Sequence, residues 1–215
     1  MLNVLTNPIE ALMEAKKEAS LGKAFVELII AAVLFAVAAY LGLGQLFSGL
    51  ANVPGIGSLV SGGALFLAAG VFFAVIVFGV IAGFIATQIF KILGGTGGFS
   101  AGLTPLAYSW FLTSVGVVLA ILLNFIPIIG ALLATLVLLY FFAVGTAVSF
   151  RGFKELFDID YVTVLVGVTL FWGAFGLALN MIATLAIAQT LVGLLTTMLT
   201  ALSSLSGLVG SGLLG

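Results

Sequence analysis

The sequence predicts an all-α, polytopic membrane protein: a five-helix transmembrane bundle with an N-terminal interfacial helix and a C-terminal amphipathic helix. Composition is the first observation, because 63% hydrophobic residues, 6% charged residues and a mean hydropathy of +1.44 lie outside the range of soluble domains. The second is a set of five apolar runs, each with the roughly 20 residues that a helix needs to cross a bilayer. A chain of 215 residues has room for these spans, a short leader and a tail.

Few residues in this composition support catalysis. The sequence contains no cysteine and no histidine, which excludes thiolate metal sites, a cysteine nucleophile and the commonest general base. A formal net charge of −1 gives no basic surface for nucleic acid. We therefore expect a protein that is not an enzyme, with no metal site, no cofactor and no nucleic-acid partner.

Residues 1–23 are expected to form an amphipathic leader helix on the cytosolic side of the membrane. Asn7 and Pro8 suit a helix start, since Asn can cap a helix and Pro is tolerated at the first helical position. At helical spacing, one face carries Ile9, Leu12 and Met13, and the other carries Glu10, Glu14, Lys17 and Glu18. Two interpretations follow: a lipid-binding helix in the membrane surface, or a solvated helix that packs beneath the spans.

The transmembrane domain is expected over residues 24–187. Its five apolar runs cover residues 24–43, 64–90, 103–123, 128–150 and 161–187. The second and fifth runs are longer than a bilayer requires, so these helices are expected to tilt or project. Residues 47–63 are rich in turn-forming residues and carry no charge, which predicts an external loop between the first two spans.

The basic residues predict the orientation. In the five-span arrangement all six fall on one side of the membrane, and the positive-inside rule makes that side the cytoplasm. They are Lys16, Lys17, Lys23, Lys91, Arg151 and Lys154. We expect a multi-pass protein of the cell membrane with a cytoplasmic N-terminus and an external C-terminus.

The tail, residues 188–215, has the pattern of an uncharged amphipathic helix. Its apolar residues from Leu191 to Leu205 fall in one narrow arc, and hydroxyl side chains such as Thr196 and Ser203 fall opposite. Such a helix can lie on the outer leaflet, continue the fifth span as a projecting helix, or cross as a sixth span.

The GGTGG segment, residues 94–98, interrupts the apolar sequence without matching a nucleotide-binding motif. A Walker loop needs Lys and then Ser or Thr after its last glycine, yet the residue here is Phe99. A turn explains the segment, because Lys91 falls in the last turn of the preceding helix and Gly94 suits a left-handed helix cap. Pro105, after Thr, is then predicted to open the third span.

Polar residues are rare inside the predicted spans. Glu27 is the sole ionisable one, and its position one turn after Lys23 favours an interfacial ion pair over a proton relay. The neutral polar residues are expected to hydrogen-bond neighbouring helices: Gln88, Ser109, Thr113, Asn124, Asn180 and Gln189. Small residues four apart predict close helix contacts, within one bundle or between copies: Gly79 and Gly83, Gly116 and Ala120, Gly130 and Ala134, Ala174 and Ala178.

The connector FRGFKELFDIDY, residues 150–161, mixes charged and apolar residues and suits the headgroup region. The candidates for a cytosolic face are Lys91 and, from this connector, Arg151, Lys154, Glu155 and Asp158. The spacing Asp158-x-Asp160 is a poor calcium site without further oxygen ligands, so a helix cap followed by an exposed acid is expected.

Four segments of the chain together resemble the Yip1 family in its prokaryotic form. They are the leader NPIEALMEA, the turn and span GGTGGFSAGLTPLAYSW, Pro127 followed by IIGALLATLVLLY, and the connector FRGFKELFDIDY. The resemblance covers residues 7–187 and implies five spans with a cytosolic N-terminus. Eukaryotic members are linked to Rab GTPases and to vesicle traffic between the endoplasmic reticulum and the Golgi. Their long N-terminal region and DLYGP-type motif are absent from this sequence, so the resemblance implies no GTPase binding here.

Two functions agree with these residues. The first is a non-enzymatic membrane organiser or adaptor that acts through helix packing and a cytosolic face. Its partners would be the lipid bilayer, a second copy of the chain or another membrane protein. The alternative is a channel or carrier for a neutral small solute, along an interhelical path that includes Gln88, Ser109 and Asn180.

Overall fold

The structure, a computed structural model, describes residues 6–17, 20–46 and 57–210. Every regular element among these residues is an α-helix, which confirms the all-α class expected from composition. The short helix α1 covers Pro8–Lys17 and starts where the sequence predicted. The long helices are α2 (Leu21–Leu46), α3 (Gly57–Ile92), α4 (Phe99–Leu123), α5 (Gly130–Phe157) and α6 (Tyr161–Gly210).

Four of the described helices are long and apolar enough to cross a membrane: α2 over Leu21–Gln45, α3 over Gly62–Ile92, and α4 and α5 over their whole lengths. Helix α6 begins with a shorter apolar stretch, Tyr161–Leu177, and stays helical to Gly210. The predicted fifth span and the tail therefore belong to one helix of 50 residues.

The chain forms two compact units, Met1–Phe171 and Trp172–Gly215. In the first unit α4 is central, because it contacts α1, α2, α3 and α5. Its burial agrees with this position, because about half of its 25 residues are buried. In the second unit the ring of Trp172 lies edge-on to that of Phe175, with 6.1 Å between centroids.

Glycines set the distances between the helices of the first unit. A Cβ at Gly102 of α4 would lie 2.5 Å from the carbonyl oxygen of Gly83 in α3 and would overlap the Thr87 hydroxyl. A Cβ at Gly116 would lie 2.5 Å from the Cβ of Phe141 in α5. The predicted small-residue pairs of α3, α4 and α5 thus pack inside one chain, whereas the pair in α6 includes Ala178, whose side chain lies outside the described ones.

Two helix boundaries differ from the predicted ones. Helix α4 starts at Phe99, so Pro105 lies inside the helix rather than at its start. Its ring packs against Gly152 of α5, which has no side chain. Residues 57–63 of the expected external loop are the first turns of α3, because a helix satisfies the backbone of an uncharged segment internally. The start of that loop, residues 47–56, lies outside the described residues.

The contact between α3 and α4 predicts a different effect for two Gly→Ala changes. Gly102→Ala is expected to lower the free energy of unfolding by about 1–3 kcal/mol, since the new methyl group meets backbone that cannot rotate away. Gly70→Ala in α3 is the matched control, because no atom lies within 4 Å of its Cβ position. Thermal unfolding of the purified protein in detergent measures both. Equal transition temperatures for the two variants would contradict the close contact.

Candidate functional site

The GGTGG loop ends α3 with two backbone hydrogen bonds. The N–H of Gly94 donates to the carbonyl of Lys91 over 3.1 Å, and the N–H of Gly95 donates to that of Phe90 over 2.8 Å. This pair of bonds is the Schellman motif, which requires a left-handed residue directly after the helix. Gly94 has φ +93°, as the left-handed cap predicted from the sequence requires. Lys91 lies in the last turn of α3, where its charge favours the negative helix end.

The same loop lies against the end of α5. The N–H of Thr96 donates to the carbonyl of Phe157 over 3.0 Å. Cβ atoms at Gly95 and Gly97 would come within 2.9 and 2.8 Å of the Phe157 ring. Glycine at both positions therefore lets the loop backbone reach the last carbonyls of α5.

Three buried aromatic rings underlie this contact. The ring of Phe90 lies 4.6 Å from that of Phe153 and 5.0 Å from that of Phe157, centroid to centroid. Gly167 of α6 faces the Phe90 ring so closely that a Cβ there would overlap it. Sequence reasoning missed this cluster. The four-residue spacing of Phe153 and Phe157 was the available signal, because it places both on one helix face.

The leader helix packs against the first unit. Leu12 is 0% exposed, and its side chain contacts the α4–α5 contact region at Gly152 and Pro105. Ala11 is also buried, whereas Met13, predicted for the same face, is exposed. These contacts agree with a leader that packs beneath the spans, and its binding to lipid stays a prediction.

An ionic contact accompanies this apolar one. The Nζ of Lys16 lies 3.8 Å from Glu155 and 3.9 Å from Asp158 at the end of α5. Exposed pairs of this kind contribute about 0–1 kcal/mol, whereas burial of a leucine side chain contributes about 1.5–3 kcal/mol. Leu12 therefore supplies most of the binding energy of the leader, and Lys16 adds orientation.

Glu155 is the centre of the connector charges. Its Oε1 lies 3.2 Å from the Nε of Arg151 and 3.3 Å from the Nζ of Lys154. Lys154 also lies 5.0 Å over the ring of Tyr161. The structure thus brings together four of the five residues proposed for the face, while Lys91 lies exposed at the end of α3. We call this region, formed by α1, the GGTGG loop and residues 151–161, the basic end, because it holds four of the six basic residues; its five acidic residues balance their charge.

A cavity of about 170 Å³ opens at the basic end, between the leader, the loop and the start of α4. Lys16 and Ser100 contribute polar groups to its wall, and Gly97, Gly98 and Leu156 line the remainder with Ala101 and Thr104. The basic end therefore presents a concave surface as well as charges.

The two aspartates of the connector have structural positions. Asp158 follows α5 in the left-handed conformation, with φ 57°. Asp160 caps α6: its carboxylate accepts hydrogen bonds from the Thr163 hydroxyl and from the N–H groups of Thr163 and Val162, which hold the pKa of Asp160 below its ordinary range. Within the described ranges no three acidic, Cys or His residues are grouped to hold a metal ion.

The intramembrane candidates do not form a common site in the first unit. Glu27 is 5% exposed and its Oε2 has no hydrogen-bond partner. Its expected ion pair with Lys23 stays a prediction: Lys23 is exposed, whereas Glu27 is buried. Gln88 is exposed on α3, and Ser109 lies between α4 and α5 against Gly145.

One hydrogen bond between helices of the first unit is made by a residue outside the predicted set. The Nε2 of Gln45 at the end of α2 donates to the carbonyl of Ile121 in α4 over 3.2 Å. Thr113 instead bonds the carbonyl of Ser109 in its own helix. Asn180 and Gln189 are exposed residues of α6, in the second unit.

The long apolar helices and the charged end they share define a multi-pass α-helical membrane protein. The chain belongs to the Yip1 family, because the Yip1 domain profile matches residues 2–183, most of its length. This confirms the resemblance found in four sequence segments. No curated protein and no solved structure matches the chain.

The left-handed cap predicts unequal effects for two substitutions of one glycine. Gly94→Ala is expected to cost about 1–2 kcal/mol of stability, since a side chain disfavours φ +93° although no atom lies within 4 Å of the new Cβ. Gly94→Asn is the control, because Asn adopts the left-handed conformation more readily than Ala. Thermal unfolding compares the two. A Gly94→Ala protein as stable as Gly94→Asn would disprove the backbone explanation.

The Asp160 cap predicts a pH dependence of stability. Because its pKa is lowered in the folded state, its contribution is present above the ordinary aspartate pKa and is lost as the pH falls through the lowered value, below about pH 4. Asp160→Ala is expected to unfold at a lower temperature at neutral pH and to lack this acid-dependent loss. Asp160→Asn keeps a hydrogen-bond acceptor without titrating, so it separates the cap from its charge. Identical pH profiles for the three proteins would count against the cap.

Proposed function

We propose that this protein is a non-enzymatic membrane organiser or adaptor of the Yip1 family that acts through its basic end. In this proposal the chain crosses the cell membrane five times, with the first part of α6 as the fifth span. The basic end faces the cytoplasm and the C-terminus lies outside. A second copy or another membrane protein is the partner at the basic end.

One observation carries the proposal: three segments far apart in the sequence meet at one surface. The leader contacts α5 through Leu12 and Lys16, and the GGTGG loop contacts α5 through Thr96 and Phe157. The connector supplies the carboxylate of Glu155 to both the leader and its own basic residues. Such a preassembled surface supports binding without the entropy cost of ordering its parts on contact.

Two further points support the orientation. All six basic residues lie in the leader, the start of α2, the end of α3 and the end of α5, which the five-span arrangement places on one side. The turn between α4 and α5 carries no charged residue. This asymmetry favours a cytoplasmic basic end.

The alternative of a channel or carrier has less support from the described residues. In the first unit Gln88 and Ser109 lie on different surfaces, one exposed and one between two helices. Flux measurements in proteoliposomes test this alternative directly. A solute-specific flux that is lost in Asn180→Leu would favour the carrier over the adaptor.

Crosslinking in native membranes tests the adaptor. With a photoreactive residue at the exposed position Thr96, we expect one stoichiometric protein neighbour. Leu12→Ala is expected to reduce that product several-fold, because the change costs about 2–5 kcal/mol in a packed position, and a helix of 10 residues is not stable alone.

Met13→Ala is the matched control, since Met13 is adjacent in α1 and exposed. It should leave the crosslinked product unchanged. Membranes that yield no stoichiometric neighbour, or the same neighbour at full yield from Leu12→Ala, would contradict the proposal.

A further inference from the structure

The turn between α4 and α5 is apolar and exposed. Residues 124–129 read NFIPII, and all six are exposed. Ile128 is 100% exposed. None of the described residues covers these side chains, although the turn directly follows α4, a helix apolar enough to cross a membrane.

The backbone of Ile128 is strained. Its φ is 69°, and the N–H of Ile129 donates to the carbonyl of Pro127 over 2.8 Å across it. This is the positive-φ form of the three-residue γ-turn, which is rare and strained, and a β-branched residue is an outlier there. Glycine or asparagine would fit at lower cost. Neither packing within the chain nor backbone geometry therefore explains isoleucine at this position.

The other loop of α4 shows the contrast. At the basic end the left-handed position holds Gly94, as expected for a turn in water. The sequence from Ile92 to Phe150 contains no charged residue. The loop before α4 thus has glycine at its left-handed position. The turn after α4 has isoleucine there and exposes apolar side chains.

The turn satisfies most of its own backbone donors; among the described residues the N–H of Ile128 makes no such bond. The N–H groups of Asn124, Phe125, Ile126, Ile129 and Gly130 donate to carbonyls of α4 or of the turn itself, and Pro127 has no N–H. Few backbone donors thus depend on water. A segment with this property tolerates the low-dielectric edge of a bilayer, where an unpaired N–H is costly.

We propose that residues 124–129 do not emerge into water but are inserted among the lipids of the leaflet in which α4 ends, with Ile128 and Phe125 as apolar anchors. The partner is a lipid surface. Burial of these side chains in lipid offsets the strain at Ile128. The anchor fixes the depth of the hairpin from the end opposite to the basic end.

Site-directed spin labelling tests this anchor, because the sequence contains no cysteine and a single one is unique. The full chain carrying Ile128→Cys with a nitroxide is reconstituted in phosphatidylcholine vesicles. Accessibility to oxygen, which partitions into lipid, is compared with accessibility to a water-soluble nickel complex. Thr96→Cys in the exposed GGTGG loop is the matched control. We expect an oxygen-to-nickel ratio at residue 128 several-fold above that at residue 96.

A ratio at residue 128 equal to that at residue 96 would overturn the proposal. Reconstitution at increasing lipid-to-protein ratios distinguishes burial of the turn against a second copy of the chain from burial of the turn in lipid. A high ratio at every dilution supports lipid insertion, and a ratio that falls on dilution shows a protein cover and overturns it. Phe125→Cys places the label on the same turn but away from the strained residue. The measurement therefore remains possible if Ile128→Cys fails to fold.

Discussion

Packing of glycine backbone against two buried phenylalanines is the constraint on which the basic end depends. Gly95 and Gly97 lie against Phe157, and Gly167 lies against Phe90, with no room for a side chain between them. Because the loop backbone comes so close, the Thr96 N–H reaches the Phe157 carbonyl. The loop and the end of α5 are thereby held together, with the Phe90 ring packed beside Phe157, and the charges that follow Phe153 in the sequence acquire defined positions.

Apolar and ionic contacts contribute differently at the basic end. Leu12 is fully buried and determines where the leader lies, while Lys16 makes long, partly exposed contacts with Glu155 and Asp158. Since exposed ion pairs contribute little, these charges affect the surface that a partner meets more than they affect stability. The loops at the two ends of α4 also differ. The loop before α4 contains the glycine that caps α3, and the turn after α4 is apolar and strained.

Much of the fold was predictable because it depends on short stretches of sequence. Apolar runs of sufficient length predict helices, Pro8 predicts the start of α1 and Gly94 predicts the end of α3, and the structure agrees at each. Pro105 was misassigned to a helix start because proline is disfavoured inside a helix, whereas the structure places it inside α4, packed against Gly152 of α5. The expected ion pair of Glu27 with Lys23 stays a prediction, and the burial of Glu27 itself depends on helix packing rather than on its neighbours in sequence.

The sequence by itself determined the class of this protein: all-α, membrane-spanning and a member of the Yip1 family. Composition and periodicity suffice for that, since they reflect the solvent that each helix face meets. Only the tertiary structure decided which residues form the basic end, because Leu12 and Gly152, or Thr96 and Phe157, become neighbours through helix packing. Contacts between distant residues depend on the shapes of whole helices, and no local pattern encodes them.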